Sequence, residues 1–170
     1  MSKLRTLRRV FLLAVAAWLL AAGPASPQAQ VTSTPRPQPV AETRLLMEGI
    51  NLANLKGLED LLGKKPADVE AWTFARGQAL LIAENGNLLM LRPPRGQGRD
   101  AWLTRAAELR EAATGLARAA AGRDYQRSRA GLVALSDTCN RCHQSFRVAA
   151  RFTPFKGAAP ADKRPSRPVP

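Results

Sequence analysis

Residues 130–146 read AGLVALSDTCNRCHQSF, and the spacing inside this stretch is the clearest indication of how the chain folds. Its apolar side chains and its two cysteines recur at steps of three and four, which places them on one face of an α-helix. We therefore predict a helix that begins near Asp124, ends before Pro154 and turns this face toward the protein interior. The face comprises Leu132, Leu135, Cys139, Cys142 and Phe146.

Three segments upstream have the same helical spacing, and no segment alternates apolar and polar residues as a β-strand does. The first covers residues 41–62, the second follows Pro66 and ends before Pro93, and the third begins with Asp100 as its N-cap and ends at Gly122. Since short connections place consecutive helices side by side, we predict an all-α protein, an antiparallel four-helix bundle. The predicted inner face of the first helix comprises Met47, Ile50, Asn54, Leu58 and Leu61.

The first 29 residues have the three parts of a secretory signal peptide. A basic stretch at 1–9 is followed by an apolar run at 10–22 and by small residues that suit a cleavage site. The apolar run is shorter than the roughly 20 residues that cross a bilayer. An uncleaved membrane anchor is the alternative interpretation. We expect cleavage between Ala25 and about Gln30, a mature protein without a stable membrane span, and a periplasmic location.

The rest of the chain divides by composition into one folded domain with two flexible ends. Residues 30–40 are rich in Pro, Ser, Thr and Gln and are predicted to form a flexible lead-in. Residues 41–157 hold the four predicted helices and form the folded domain. Residues 158–170 are rich in Pro, Lys and Arg and are predicted to be a disordered tail.

A net charge of +13 is typical of nucleic-acid-binding proteins, but here most of the basic excess lies near the two ends of the chain. Residues 1–30 carry four basic residues and no acidic one, and residues 141–170 carry seven basic residues and one acidic residue. Between positions 41 and 139 there are 14 basic and 12 acidic residues, so the folded part is almost neutral. A nucleic-acid partner is therefore not expected. A basic surface can still attract an acidic protein partner.

The residue types exclude several classes of chemistry. The chain has one histidine and two cysteines, so a site that needs two histidines cannot form. It has no phosphate-binding motif of the GxxxxGK[S/T] or GxGxxG type. A serine–histidine–aspartate triad would need the single histidine, His143, which directly follows the cysteine pair Cys139 and Cys142 and belongs with it. We therefore expect that the protein is not an enzyme.

Residues 139–143 read CNRCH, which is the C-x-x-C-H motif that attaches c-type haem. Thioether bonds from Cys139 and Cys142 to the two vinyl groups need thiols at a short fixed distance, and helix positions i and i+3 lie one turn apart. The imidazole of His143 then lies beneath the iron as an axial ligand. Its other ring nitrogen is expected to donate a hydrogen bond to a backbone carbonyl or to water. We predict one covalent haem c, with its iron, enclosed by the bundle.

Two other uses of the cysteine pair agree less well with the sequence. A redox dithiol of the thioredoxin type belongs to the start of a helix in a βαβ unit, whereas this pair lies deep in the last helix of an all-helical chain. A zinc site needs a fourth ligand, and the sequence has no further cysteine or histidine. Small residues on the predicted inner faces leave room for a flat ligand, although alanine is also simply a strong helix former.

The motif at residues 139–143 in the last helix of a four-helix bundle, followed by Phe146 and Arg147, resembles cytochrome c prime and its low-spin relatives, the class II c-type cytochromes. The resemblance covers about residues 41–155, and only the motif and its C-terminal position are specific. It implies one haem per chain held between the helices and His143 as the fifth iron ligand. It also implies electron transfer or binding of small gases in the periplasm, and a possible homodimer.

The sixth iron ligand separates these two functions. In the low-spin relatives a methionine of the first helix takes this position, and Met47 is the matching residue. Iron with histidine and methionine ligands resists other ligands and has a raised reduction potential, which suits electron transfer. The alternatives are that Met47 only fills space in the core, that Met90 at the end of the second helix is the ligand, or that a lysine is the ligand. In the five-coordinate relatives an apolar residue leaves the iron open to nitric oxide or carbon monoxide.

Two arginines are candidates for contact with the haem propionates, because a guanidinium group pairs with a carboxylate through two hydrogen bonds. Arg44 lies one turn before Met47, and Arg147 lies one turn after His143. The alternative for each is an ordinary solvent-exposed helix position. The combined prediction is a mono-haem cytochrome that carries single electrons between redox protein partners, with binding of small gases as the alternative.

Overall fold

The structure is a computed structural model, and it describes residues 36–156 of the chain. The predicted signal peptide (1–29) and the predicted tail (158–170) lie outside the described residues, as does half of the predicted lead-in. Within residues 36–156 no β-strand is present. No helix in this part of the chain is both long and apolar enough to cross a lipid bilayer.

Four helices form the described part of the chain. The first, α1, covers residues 43–63 without a break, although it consists of an α-helical turn at Thr43–Leu46, a π-helical turn at Met47–Leu52 and a longer α-helix at Ala53–Gly63. The other three are α2 (Val69–Met90), α3 (Arg99–Ala121) and α4 (Tyr125–Ser145). These bounds agree with the predicted ones to within about three residues, except at the end of α4.

α4 ends earlier than the prediction, which extended it almost to Pro154. The backbone leaves the helical conformation at Phe146 and becomes left-handed at Arg147, where φ is 57°. Val148 donates a hydrogen bond to the carbonyl oxygen of His143 at 2.8 Å, which closes the turn. The chain then runs back along the outside of α4, so the residues after the turn are free to contact the helix instead of extending it.

Aspartates cap two of the helices. Asp68 accepts a hydrogen bond from the amide of Ala71 at 2.7 Å, and Asp124 accepts one from the amide of Arg127 at 3.0 Å. The prediction that Asp100 caps α3 is wrong. Gly98 takes that position in a left-handed conformation (φ = 88°), so Asp100 lies in the first turn, where its charge faces the positive end of the helix dipole.

The helices pack as an antiparallel bundle in which neighbours in sequence are neighbours in space. α2 packs along α3, α3 packs along α4, and α1 completes the bundle through contacts with α2 and α4. Each helix buries one apolar face against the others, which confirms the predicted fold class. The largest fully buried apolar side chains are Leu58, Leu62, Ile82, Leu116, Leu132 and Leu135.

The inner face of α1 differs from the prediction after its first turn. The predicted face continued from Met47 through Ile50 and Asn54, whereas the structure buries Asn51 and Leu55. A π turn holds more residues per turn than an α turn, so the positions that follow it move around the helix by one step. The amide side chain of Asn51 is thereby turned into the bundle.

α2 and α3 approach each other closely at Gly86. A Cβ atom at this position would lie 2.9 Å from Cβ of Arg110 and 3.0 Å from the carbonyl oxygen of Ala106. We expect Gly86→Ala to lower the free energy of unfolding by about 1–3 kcal/mol, because the added methyl group must push the two helices apart. Chemical denaturation measures this change.

Gly77→Ala is the matched control for this substitution. Gly77 lies in the same helix, but a Cβ atom there meets no atom within 4 Å. Alanine is the better helix former, so this variant is expected to gain up to about 1 kcal/mol. If both substitutions stabilise the protein equally, α2 and α3 are not in tight contact at Gly86.

Candidate functional site

Two adjoining cavities lie between the four helices, with volumes of about 50 and 500 Å³. The volume of the larger cavity is typical of a cofactor site, whereas the smaller one is a narrow extension of it. The two cavities share part of their walls, so they form one continuous site between the four helices and the segment after α4. The shared wall residues are Met47, Leu52, Leu89, Cys142, His143 and Phe152.

Cys139 and Cys142 lie one turn apart on α4, and both are half-buried free thiols that line the smaller cavity. Burial raises the pKa of Cys139 to about 12, and the neighbouring Cys142 adds to this shift. Burial also raises the pKa of Cys142. A redox dithiol needs a lowered thiol pKa, because the thiolate is the nucleophile. These pKa shifts therefore argue against the dithiol interpretation.

His143 lines both cavities, and its ring is fixed by a backbone hydrogen bond. Its Nδ1 lies 3.0 Å from the carbonyl oxygen of Ala150. Because a carbonyl oxygen only accepts hydrogen bonds, Nδ1 carries the ring hydrogen, and Nε2 keeps the lone pair that a metal needs. The ring of Phe152 packs beside it, with centroids 5.6 Å apart. The hydrogen bond expected from the motif is thus present, and it selects the tautomer that can bind iron.

Asn140, the first residue between the two cysteines, holds the segment that supplies Ala150. Its Nδ2 donates to the carbonyl oxygen of Phe152 at 2.8 Å, and its Oδ1 accepts from the amide of Phe152 at 2.8 Å. This two-way pair keeps the returning chain against α4. In the sequence motif Asn140 is only a spacer. Its partner is a backbone group twelve residues away, which no residue pattern indicates.

Asn140→Ala is expected to release the returning segment from α4. The two lost hydrogen bonds contribute about 1 kcal/mol each, so the amide of Phe152 should exchange its hydrogen at least about tenfold faster. Hydrogen exchange followed by NMR measures this rate. Gln144→Ala is the matched control, because Gln144 is an exposed residue one turn further along α4. An unchanged exchange rate in Asn140→Ala would show that the segment is held in another way.

Met47 is the first residue of the π turn and lines both cavities, so α1 brings it to the same site as His143. Met90 packs against the hydrophobic core and lines neither of these two cavities. Of the two candidate methionines, Met47 is therefore the one that lies at the site.

A protein-family model described as Cytochrome C' matches residues 97–147, a stretch of 51 residues that contains α3, α4 and the C-x-x-C-H motif. The match supports a class II c-type cytochrome assignment. No curated protein matches the chain significantly, and neither does any solved structure. The cofactor of this family is haem c with its iron, and Cys139 and Cys142 fit its attachment motif. Met47 and the rest of α1 lie outside the matched residues.

The side chains around the two cavities fit this cofactor. Leu52, Leu89 and Trp102 give apolar walls for a macrocycle. The indole nitrogen of Trp102 donates to the carbonyl oxygen of Leu89 at 2.7 Å, and Phe146 packs edge-on against the indole, with ring centroids 5.1 Å apart. This wall is therefore fixed in place. The same walls carry two thiols that could form thioether bonds to the porphyrin and an imidazole nitrogen that could bind its iron.

One cation that the sequence pattern did not single out lies at the site. Arg105 of α3 lines the smaller cavity, where it forms a 2.7 Å ion pair with Glu108. Of the two arginines predicted to contact propionates, Arg44 lines the larger cavity and Arg147 lines neither. Arg105 is therefore a third candidate for a propionate contact. It directly precedes Ala106, a buried residue on the inner face of α3, and a basic residue beside an apolar face is the sequence signal that points to it.

Proposed function

We propose that this class II cytochrome is a periplasmic mono-haem electron carrier that passes single electrons between redox protein partners. In this proposal Cys139 and Cys142 hold the haem, and His143 and Met47 are its two axial ligands. The observation that carries the proposal is that Met47 from α1 and His143 from α4 line the same two cavities. A thioether and an imidazole at one haem site favour a six-coordinate iron, which suits electron transfer.

Each of these residues has its own part in the proposal. The bound haem supplies an iron that gains and loses one electron. Thioether bonds to Cys139 and Cys142 keep the macrocycle on α4, and the hydrogen bond from Nδ1 to Ala150 increases the basicity of the ligating His143 nitrogen. Met47 closes the second axial position. The apolar walls limit the access of water to the metal, which helps to set the reduction potential.

The protein in this proposal is a carrier and not an enzyme. His143 is the single histidine of the chain; its Nδ1 is paired with the carbonyl oxygen of Ala150, and in this proposal its Nε2 would bind the iron. It therefore has no free nitrogen for general acid–base catalysis. The expected partners are redox proteins that dock beside the haem, and the basic surplus of residues 141–170 favours an acidic docking surface on them.

The periplasmic location is supported by the sequence of residues 1–29, which has the pattern of a cleaved signal peptide. Cell fractionation tests this part of the proposal. The full chain is expected in the periplasmic fraction at the mass of the cleaved form, and deletion of residues 2–29 is expected to leave it in the cytoplasm. Recovery of the uncleaved full chain from the membrane fraction would instead support the anchor.

Carbon monoxide distinguishes electron transfer from the alternative function, gas binding by five-coordinate iron. With Met47 on the iron, the visible spectrum of the reduced protein is expected to stay unchanged at low carbon monoxide concentration, because the gas must first displace Met47. A prompt shift of the main haem band at low carbon monoxide concentration would overturn the proposal and favour gas binding.

A further inference from the structure

Two buried amide side chains lie beside Met47 in a bundle whose interior is otherwise mostly apolar. Asn85 of α2 is fully buried, and Asn51 in the π turn of α1 is 9% exposed. Burying an amide costs free energy unless its hydrogen bonds are replaced, so two neighbouring buried amides need a reason. Asn51 also lines the smaller cavity, next to Met47.

The two amides form a chain of hydrogen bonds that ends on the sulfur of Met47. Nδ2 of Asn85 donates to Oδ1 of Asn51 at 2.8 Å, and Nδ2 of Asn51 donates to Sδ of Met47 at 3.3 Å. A thioether sulfur can only accept a hydrogen bond, so Asn51 must turn its NH₂ group toward Met47. Its oxygen then faces Asn85, whose NH₂ group satisfies it. The sulfur of Met47 therefore fixes the direction of both hydrogen bonds.

In this arrangement the side-chain oxygen of Asn85, Oδ1, is buried and is left without a hydrogen bond among the described residues. An unsatisfied buried carbonyl oxygen is destabilising, and an apolar residue of the same size would avoid the penalty. The fold therefore keeps an unfavourable group whose visible effect is to orient Asn51 toward the sulfur.

We propose that Asn51 and Asn85 are positioning residues that hold the sulfur of Met47 at the haem site and tune its strength as an iron ligand. This inference rests on the proposed function, in which Met47 is an axial ligand. A thioether sulfur has two lone pairs. The amide hydrogen of Asn51 occupies one of them, and the other stays available for a metal. The hydrogen bond draws electron density from the sulfur, which favours ferrous over ferric iron and raises the reduction potential.

Asn51→Leu tests this inference in the haem-loaded protein, because leucine has nearly the same size and cannot donate. The reduction potential is expected to fall, since the sulfur loses its hydrogen bond. The apparent affinity of the reduced protein for carbon monoxide is expected to rise about tenfold, because a less restrained Met47 leaves the iron more easily. Asn85→Ser removes the amide that donates to Oδ1 of Asn51. It should also lower the reduction potential and raise the apparent carbon monoxide affinity, and it replaces Asn51→Leu as the test if that variant does not fold.

Asn54→Leu is the matched control. Asn54 lies in α1, three residues after Asn51, but its amide donates to the carbonyl oxygen of Ile50 at 2.7 Å and does not contact Met47. It is expected to alter stability and leave the reduction potential unchanged. If Asn51→Leu and Asn85→Ser keep the wild-type potential and carbon monoxide affinity while Met47→Ala changes both, the positioning role is refuted and Met47 remains the ligand. If Met47→Ala also changes neither, the proposed ligand and the inference fail together.

Discussion

Met47→Ala is expected to convert a closed six-coordinate haem into one that binds carbon monoxide readily. Alanine has no donor atom, and the two cavities at this position already reach the motif on α4. The apparent affinity for carbon monoxide should rise by at least about 100-fold, because loss of a ligand exceeds the 10–100-fold effects seen when only a hydrogen-bond partner of a ligand is removed. Visible spectra of the reduced protein during a carbon monoxide titration measure this change.

Met90→Ala is the control for this substitution. It removes the same side chain from a partly buried position that lines neither cavity, so it should cost stability, by less than the roughly 2–5 kcal/mol of a fully buried methionine. It should leave the spectrum and the carbon monoxide affinity unchanged. If Met47→Ala behaves like Met90→Ala, Met47 is a packing residue and the iron has another sixth ligand or none.

Replacing both Cys139 and Cys142 with alanine is expected to abolish covalent haem attachment. The thiols are the only sulfur nucleophiles in the sequence, and they lie one turn apart on the wall of the smaller cavity. The double variant should lose all haem from the polypeptide after denaturation, whereas the wild-type protein should keep it. Haem staining of a denaturing gel, together with the mass of the polypeptide, measures the difference.

The two single cysteine variants complete this test. Each keeps one thiol, so each should retain some haem through a single thioether bond and show a lower loading than the wild-type protein. Ser136→Ala is the matched control, because Ser136 is a buried residue of α4 one turn before the motif that lines neither cavity. Full loading of the double variant would mean that the haem is held without either thiol.

Most of the fold followed from local patterns in the sequence. Apolar spacing and the glycine and proline breaks located four helices, and the aspartates at positions 68 and 124 cap the helices that were expected to start there. The placement of Cys139, Cys142 and His143 followed from the motif, because covalent chemistry fixes the spacing of these residues. Such features depend on neighbours in sequence, so the sequence alone can reveal them.

The remaining features depend on contacts between distant parts of the chain. The π turn at Met47–Leu52 changes which residues of α1 face inward, and neither residue spacing nor helix propensity indicates where such a turn occurs. The same shift turns Asn51 inward, which the residue spacing did not predict, and its partner Asn85 lies 34 residues away. Asn140 pairs with a backbone group whose position depends on the left-handed turn at Arg147. The side chains that orient the ligands were therefore found only in the structure.

The mass of the wild-type chain under denaturing conditions is the most direct test of haem attachment. The protein would be purified from the periplasm of cells that also express a haem-attachment apparatus, and its mass and visible spectrum would be recorded together. We expect a coloured protein whose mass equals that of the cleaved polypeptide plus one haem. A colourless protein with the mass of the bare polypeptide would contradict the assignment of Cys139, Cys142 and His143 to a c-type haem.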